Sequence, residues 1–401
     1  MSDGLDAHGF LGVRLHESFR NLAALVPRAH DIARLGPEQQ VSGRTWRFLD
    51  RSLTHDGRIV GWSLNGLYRE GTYGKIYKAW RMVAVRRQTD GLYDVAEEPL
   101  EVIIKQTQPA TGASSSVLAA ADINAHIAEA LLHVLAWRAV EKAGLNWAVP
   151  RPYELFGDWS SSHLGWRTMS LCMGWVRGRT LQAFAERHWK PGGSTAVAVS
   201  FLEIIAQVAA ILCILQRSLR LNHRDLKVNN LMIRARRDTP VTLELGGMHM
   251  TTGYELTVID FGFACVSCPP PRPQIATFQA GSWFPMGDLC CKPGRDLAQL
   301  IYCLHCFFPL DEYLPEALVA TVRKWMIVRL HGGELVDLLG GFTEDGEPLP
   351  LTAVNARRSP VYHKGIYEFL RRADAEPLAC EPVSVFRECC RLKMELQRSV
   401  S

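Results

Sequence analysis

Three oxygen-bearing side chains stand at a spacing that can do phosphoryl chemistry. Asp225 and Asn230 lie in Asn222-His223-Arg224-Asp225-Leu226-Lys227-Val228-Asn229-Asn230, and Asp260 follows 35 residues after Asp225, opening Asp260-Phe261-Gly262. Moving a phosphoryl group needs a carboxylate to orient the attacking hydroxyl and take its proton. It also needs hard oxygen ligands for a Mg²⁺ ion that offsets the phosphate charge. The run Thr257-Val258-Ile259 supplies a strand that would aim Asp260.

Together these motifs resemble the protein-kinase superfamily. The resemblance implies that Asp225 is the catalytic base, that Asn230 and Asp260 hold Mg²⁺, and that Lys227 steadies the γ-phosphate. Arg224 would meet a phosphate or an acid on the activation segment. Lys227, two residues after Asp225, resembles the serine/threonine branch. Upstream, Leu67 to Tyr77 is similar to the family's glycine-rich loop, in which Gly71 and Gly74 let backbone N–H groups approach phosphates and Ile76 covers the adenine. The family's first glycine is Arg69 here, a departure that implies a stiffer loop or weaker ATP binding.

Val102-Ile103-Ile104-Lys105 resembles the strand whose lysine holds the α- and β-phosphates, and Glu129, on the following helical segment, is its expected ion-pair partner, with Glu141 as the competing choice. Met173-Gly174-Trp175-Val176 resembles the hinge, with Met173 guarding the adenine pocket and backbone groups from Gly174 through Trp175 to Val176 bonding the adenine. Asp296 resembles the aspartate that braces the catalytic loop, although a simple helix N-cap would read the same. No Ala-Pro-Glu closes the segment between Asp260 and Asp296, where Thr277 and Ser282 are candidate phosphorylation sites. Cys265-x-x-Cys268 and Cys303-x-x-Cys306, with Cys290-Cys291 between them, have zinc-like spacing; the second pair sits in an apolar run that equally suits core thiols.

The elements that must carry these residues follow from pattern. Strands dominate early: a strand, glycine turn and strand over 67–79, and another at 101–105. Ala121 to Val140 is alanine- and leucine-rich without Gly or Pro and reads as a helix. The apolar stretch Phe201 to Leu215 contains Glu203 and Gln207 and is too short for a bilayer, so it reads as a buried helix. Arg234 to Tyr254 reads as an inserted hairpin turning at Gly246-Gly247, and His16 to Leu35 has a helical rhythm. The expected fold is α+β and bilobal, protein-kinase-like, with a β-rich N-lobe and a helical C-lobe and MgATP in the cleft. The expected boundaries are an extension over 1–60, an N-lobe over 61–173 and a C-lobe with a helical extension over 174–401.

Bulk properties narrow the function classes. Lys+Arg 45 against Asp+Glu 41 gives a net +4 over 401 residues, too small to point to nucleic acid or an anionic membrane as the partner. The N-terminus has no secretory pattern, and the 11 cysteines then read as reduced thiols of an intracellular protein, cytoplasmic or nuclear. The expected activity is ATP- and Mg²⁺-dependent phosphorylation of serine or threonine hydroxyls on a protein substrate. The alternatives are a pseudokinase or scaffold, motivated by Arg69 and the missing Ala-Pro-Glu, a small-molecule kinase, and a zinc-dependent interaction protein.

Overall fold

The computed structural model of the chain describes residues 32–41, 43–50, 58–71, 74–87, 89–90, 93–108, 117–236, 238–267, 277–280, 290–329, 335–340, 366, 368–370 and 380–398. Contacts gather into two compact units: Met1–Trp137 with Pro150–Trp175, and Arg138–Val149 with Val176–Ser401. Of the helical rhythm expected over residues 16–35, residues 16–31 lie outside the described residues, while residues 33–35 are β-strand rather than helix; Ser282, Cys268 and the three prolines at 269–271 also lie outside the described residues.

The first unit is a closed barrel. Its strands are β1 (Ala33–Val41), β2 (Arg44–Leu49), β3 (Arg58–Gly71), β4 (Gly74–Arg86), β5 (Tyr93–Val95), β6 (Leu100–Thr107), β7 (Pro152–Ser160) and β8 (Gly165–Gly174). The order β3-β2-β1-β7-β8-β6-β4 returns to β3, a ring of seven, and β5 adds to the end of β4. Neighbours are antiparallel except β1 and β7, which run parallel at Ala33↔Phe156 and Arg34↔Gly157. Closure depends on β3 and β4, 14 and 13 residues long, each able to serve two neighbours. Register shifts at Leu64/Gly66 and Leu67/Arg69 give β3 the bends a ring requires.

Strand alternation then separates two faces. Inward side chains form a cluster of Ala33, Leu49, Trp62, Ala79, Val102, Ile104, Phe156 and Cys172, in which the Trp62 and Phe156 rings stack at 4.4 Å. A second cluster, Trp46, Phe48, Ile59, Met82 and Ala84, occupies the opposite face of β2 to β4. Helix α1 (Ala120–Lys142) follows β6.

The second unit mixes helix and strand. Its helices are α2 (Leu181–His188), α3 (Thr195–Leu219), α4 (Arg295–Phe307), α5 (Leu310–Tyr313), α6 (Glu316–Trp325) and α7 (Pro382–Arg398). Its strands are β9 (Arg179–Thr180), β10 (Leu221–Asn222), β11 (Leu231–Ala235), β12 (Val241–Leu245), β13 (Met248–Thr252), β14 (Tyr254–Val258), β15 (Cys265–Ser267), β16 (Thr277–Gln279), β17 (Ile327–Arg329) and β18 (Leu335–Asp337). They form the small sheets β14-β11-β9, β10-β15-β16, β12-β13 and β17-β18.

The expected bilobal, kinase-like fold is therefore corrected on two counts. The first unit is a closed seven-stranded barrel rather than the β-rich N-lobe expected over 61–173, because residues 33–49, set apart in the sequence as an extension, are barrel staves. The second unit is mixed α/β rather than a helical lobe, because the segments flanking the motifs pair into short sheets.

Helix α3 organises the second unit. Ser194 caps it by accepting the Val197 N–H, and Arg220 ends it in the left-handed conformation. It is the one helix among the described residues apolar and long enough to cross a bilayer, yet 89% of its apolar window is buried within the protein, the condition of a core helix. Its polar residues dock later parts of the chain. Gln207 donates to Thr252 Oγ1 at 3.1 Å and accepts from the Leu256 N–H, while Glu203 accepts from Thr252 Oγ1 and from Lys393 Nζ at 2.6 Å. The β12–β13 hairpin thus lies between α3 and α7, with Arg387 Nε donating to the Gly246 carbonyl at its turn.

Lys393 and Glu203 are nearly buried, with side chains 12% and 10% exposed. Truncating one partner strands a charge, so Lys393→Ala should lower stability by about 3 kcal/mol. The Glu203→Gln, Lys393→Met pair should recover most of that loss, as read from urea unfolding midpoints.

Candidate active-site residues

In the first unit the residues of interest share the outer face of the barrel. Lys105 pairs with Ile76 on β4 and Leu171 on β8, and Met173 faces Ile103 two residues along, so Ile76, Lys105 and Met173 project to one side. Helix α1 meets that side. Lys105 Nζ donates to Glu129 Oε1 at 2.6 Å, with side chains 16% and 8% exposed; the competing candidate Glu141 lies within 4.0 Å of Arg138 instead.

His126, one turn before Glu129, is fully buried, and its Nδ1 lies 2.9 Å from Thr107 Oγ1. Desolvation, reinforced by the Lys105 charge, pushes its pKa down to about 3, so it is neutral beside the ion pair.

The glycine turn is demanded by sterics. Gly71 pairs with Gly74 across the β3–β4 hairpin, while Thr72 and Tyr73 lie outside the described residues. Gly74 has φ +145°, and a Cβ there would sit 2.1 Å from the Gln106 carbonyl oxygen, so no other residue fits without moving β6. Arg69, at the family's first-glycine position, pairs in register with Ile76.

At the end of β8, Met173 is buried and the Gly174 N–H donates to the Arg151 carbonyl at 2.8 Å. Trp175 packs edge-on against Tyr68 and beneath Lys78, and Val176 is half-buried in irregular backbone.

In the second unit the chemistry-bearing loop lies between β10 and β11. Asp225 is 5% exposed, and its carboxylate accepts from Lys227 Nζ at 3.0 and 2.9 Å and from Asn230 Nδ2 at 2.8 Å. Asn230 Nδ2 also donates to the Asp225 carbonyl, which leaves the amide oxygen Oδ1 as its remaining ligand atom. Pairing of Leu231 with Val258 brings the next loop alongside: the Ile259 N–H donates to the Asn230 carbonyl at 3.0 Å, setting Asp260 beside Asn230. Asp260 adopts φ +68°, and its Oδ1 accepts from the Gly262 N–H at 3.4 Å.

His223 ties the two loops, its Nδ1 accepting from the Asp225 N–H and its Nε2 donating to the Ile259 carbonyl, which fixes its tautomer. Asp260 and Asn230 together offer one carboxylate and one amide oxygen. That donor set suits a Mg²⁺ ion whose other ligands come from phosphate and water.

The brace beneath this loop is Asp296, 0% exposed at the start of α4. Its Oδ2 accepts from the His223 N–H at 2.9 Å and Asn222 Nδ2 at 3.0 Å, and its Oδ1 from the Arg224 N–H at 2.8 Å. No side-chain bond caps the helix itself, so the carboxylate serves the loop. Arg224 is buried at φ +64°. Asn222 completes the clamp with the Lys292 backbone, accepting its N–H at 2.6 Å and donating to its carbonyl.

The cysteine motifs take a different course from zinc. Cys265 is joined to Cys290 by a disulfide that links β15 to the approach to α4, so neither serves as a thiolate ligand. Burial pushes the Cys303 and Cys306 thiols up to about 11 and about 12. Among the described residues no group of three or more His, Cys, Asp or Glu is placed to hold a metal. Thr277 pairs with Ser267 in the strand that follows. Sequence reading missed Asn222 and His223 as positioning groups; both lie inside the motif, but their partners are 70 and 36 residues away.

Replacing Asp296 by Ala leaves three buried donors unsatisfied and should cost about 3 kcal/mol or more. Amide exchange at residues 223 and 224 should then quicken ahead of the rest of the unit. His126 has a folded pKa below its unfolded value, so the unfolded chain binds the extra proton. Stability should therefore fall as pH drops below 6.5, with a slope of up to about 1.4 kcal/mol per pH unit, until about pH 3. His126→Asn should flatten that limb in pH-dependent urea unfolding. No protein-family model and no curated protein matches this sequence.

Proposed function

We infer that the chain is an ATP-dependent protein serine/threonine kinase that transfers the γ-phosphoryl group of MgATP to a protein hydroxyl. The observation that carries this reading is the Asp225 carboxylate, held by Lys227 and Asn230 in a loop braced from below by buried Asp296. A carboxylate so fixed can accept a hydrogen bond from a serine or threonine hydroxyl and take its proton as the oxygen–phosphorus bond forms and the bond to the β-phosphate oxygen breaks.

Lys227, already against Asp225, is a cation able to move to phosphate oxygens as charge develops there. Asp260 and the Asn230 amide oxygen would hold Mg²⁺, which when bound neutralises phosphate charge. Lys105, oriented by Glu129 and flanked by Ile76 and Met173, is suited to α- and β-phosphates with an apolar wall for adenine. Eight of the ten described cysteines carry free thiols, in keeping with an intracellular setting, whereas the Cys265–Cys290 disulfide departs from the expectation of reduced thiols.

A second reading, a nucleotide-binding pseudokinase, is favoured by Arg69, which places a long charged side chain where the resemblance calls for glycine.

The test is transfer of label from γ-labelled MgATP to the chain itself and to a generic basic protein. Wild type should place label on serine and threonine, and Asp225→Ala should reduce it by about 10²–10⁴-fold with the fold intact. Lys105→Met should weaken nucleotide binding as well as turnover. Absence of transfer by a chain that still binds MgATP would establish the pseudokinase reading instead.

A further inference from the structure

One end of the barrel interior breaks the apolar rule. Beside the stacked Trp62 and Phe156, inward positions are taken by Arg81 on β4, directly opposite Trp62, and Glu154 on β7, a bidentate pair with contacts of 2.6 to 3.1 Å and side chains 16% and 15% exposed. Burial pushes the Glu154 carboxyl up against the opposing pull of Arg81. Inward-facing charge in a barrel stave is costly, and it coincides with a cavity of about 570 Å³, within the range that holds small organic ligands in barrel mouths.

The walls divide by chemistry. Val60 and Val83, directly paired across β3 and β4, give an apolar surface with Tyr153. Of the charged walls, Arg58 is engaged by Glu97 and Arg81 by Glu154. Two charges remain with no ion-pair partner within 4 Å among the described residues: Arg151, whose guanidinium lies 5.5 Å from the centroids of both Trp137 and Tyr153, and Glu98. A cation and an anion around an apolar wall are complementary to a molecule carrying both charges on an apolar body. The cavity opens on the interior face of β6, whereas Lys105 projects from the outer face of the same strand, so the two sites are separate.

We propose that the mouth of the barrel is a binding site for a small zwitterion with an apolar or aromatic body, its carboxylate on Arg151 and its ammonium toward Glu98. This site is independent of phosphoryl transfer.

Calorimetric titration of the full chain with L-tryptophan, tryptamine and indole-3-propionate separates the contributions. Tryptophan should saturate at one per chain and bind about three- to tenfold tighter than either analogue. Arg151→Gln should abolish its advantage over tryptamine, and Glu98→Gln its advantage over indole-3-propionate; both positions are exposed, so both variants should keep the fold. Val83→Trp, verified as folded by circular dichroism, should block all three ligands. Equal binding of the three, binding unchanged in Arg151→Gln and Glu98→Gln, or no saturation up to about 10 mM, too weak to be specific, would overturn the proposal.

Discussion

Closing seven strands into a ring commits every second residue of each strand to an interior with a fixed volume, and the first unit follows from that constraint. On β6, Val102 and Ile104 are consigned to the core, so Ile103 and Lys105 must face outward, where α1 brings Glu129. A one-residue slip of β6 would bury a lysine in the apolar core and expel Ile104, a penalty large enough to fix the register without help from the turn. Gly74 reinforces it, because only a residue without a Cβ lets β4 pass the Gln106 carbonyl.

The second unit is ordered differently, by charge placed away from water. Asp296 holds the backbone of residues 223 and 224, and the loop it holds presents Asp225 and Asn230 on the other side. A buried carboxylate receiving three hydrogen bonds is rigid in a way that an apolar contact is not, since displacement of any donor leaves an unsatisfied group in low dielectric. His223 extends the same logic to the residue after β14 by donating to the Ile259 carbonyl, so the loop containing Asp225 is tied to the turn containing Asp260. Asp260, a non-glycine residue at positive φ, is tolerated because this frame defines it from both sides.

What the sequence made legible was local. The spacing from Asp225 to Asn230, the strand before Asp260 and the lysine ending an apolar run are short-range patterns, and the structure places them on a loop, a turn and a strand of the kind each pattern requires. The hairpin turning at Gly246-Gly247 was likewise readable from its glycines. Barrel closure was not. It depends on β1 meeting β7 about 120 residues later, through two parallel pairs that leave no periodic mark. Residues 33–49 alternate only weakly, with charged and polar side chains on the outward positions of β1, so they resembled an extension rather than staves. The Cys265–Cys290 bond was hidden for a related reason: cysteine spacing constrains what can pair, and proximity decides what does.

Polar residues in apolar elements mark, in both units, the places where something else must arrive. Glu203 and Gln207 interrupt an otherwise apolar α3, and each is met by a later segment, the hairpin at Thr252 and Leu256 and the final helix at Lys393. Had they been left unmet, α3 could not lie buried without losing more than its apolar face contributes. Glu154 and Arg81 stand in a similar relation to the barrel: they satisfy one another, and the cavity beside them is lined by further charged side chains as well as apolar ones. A chain can fill such a space with apolar side chains at lower cost, as it does around Trp62 and Phe156. The contrast between those two parts of one barrel interior separates a core that serves stability from a mouth proposed to take a ligand.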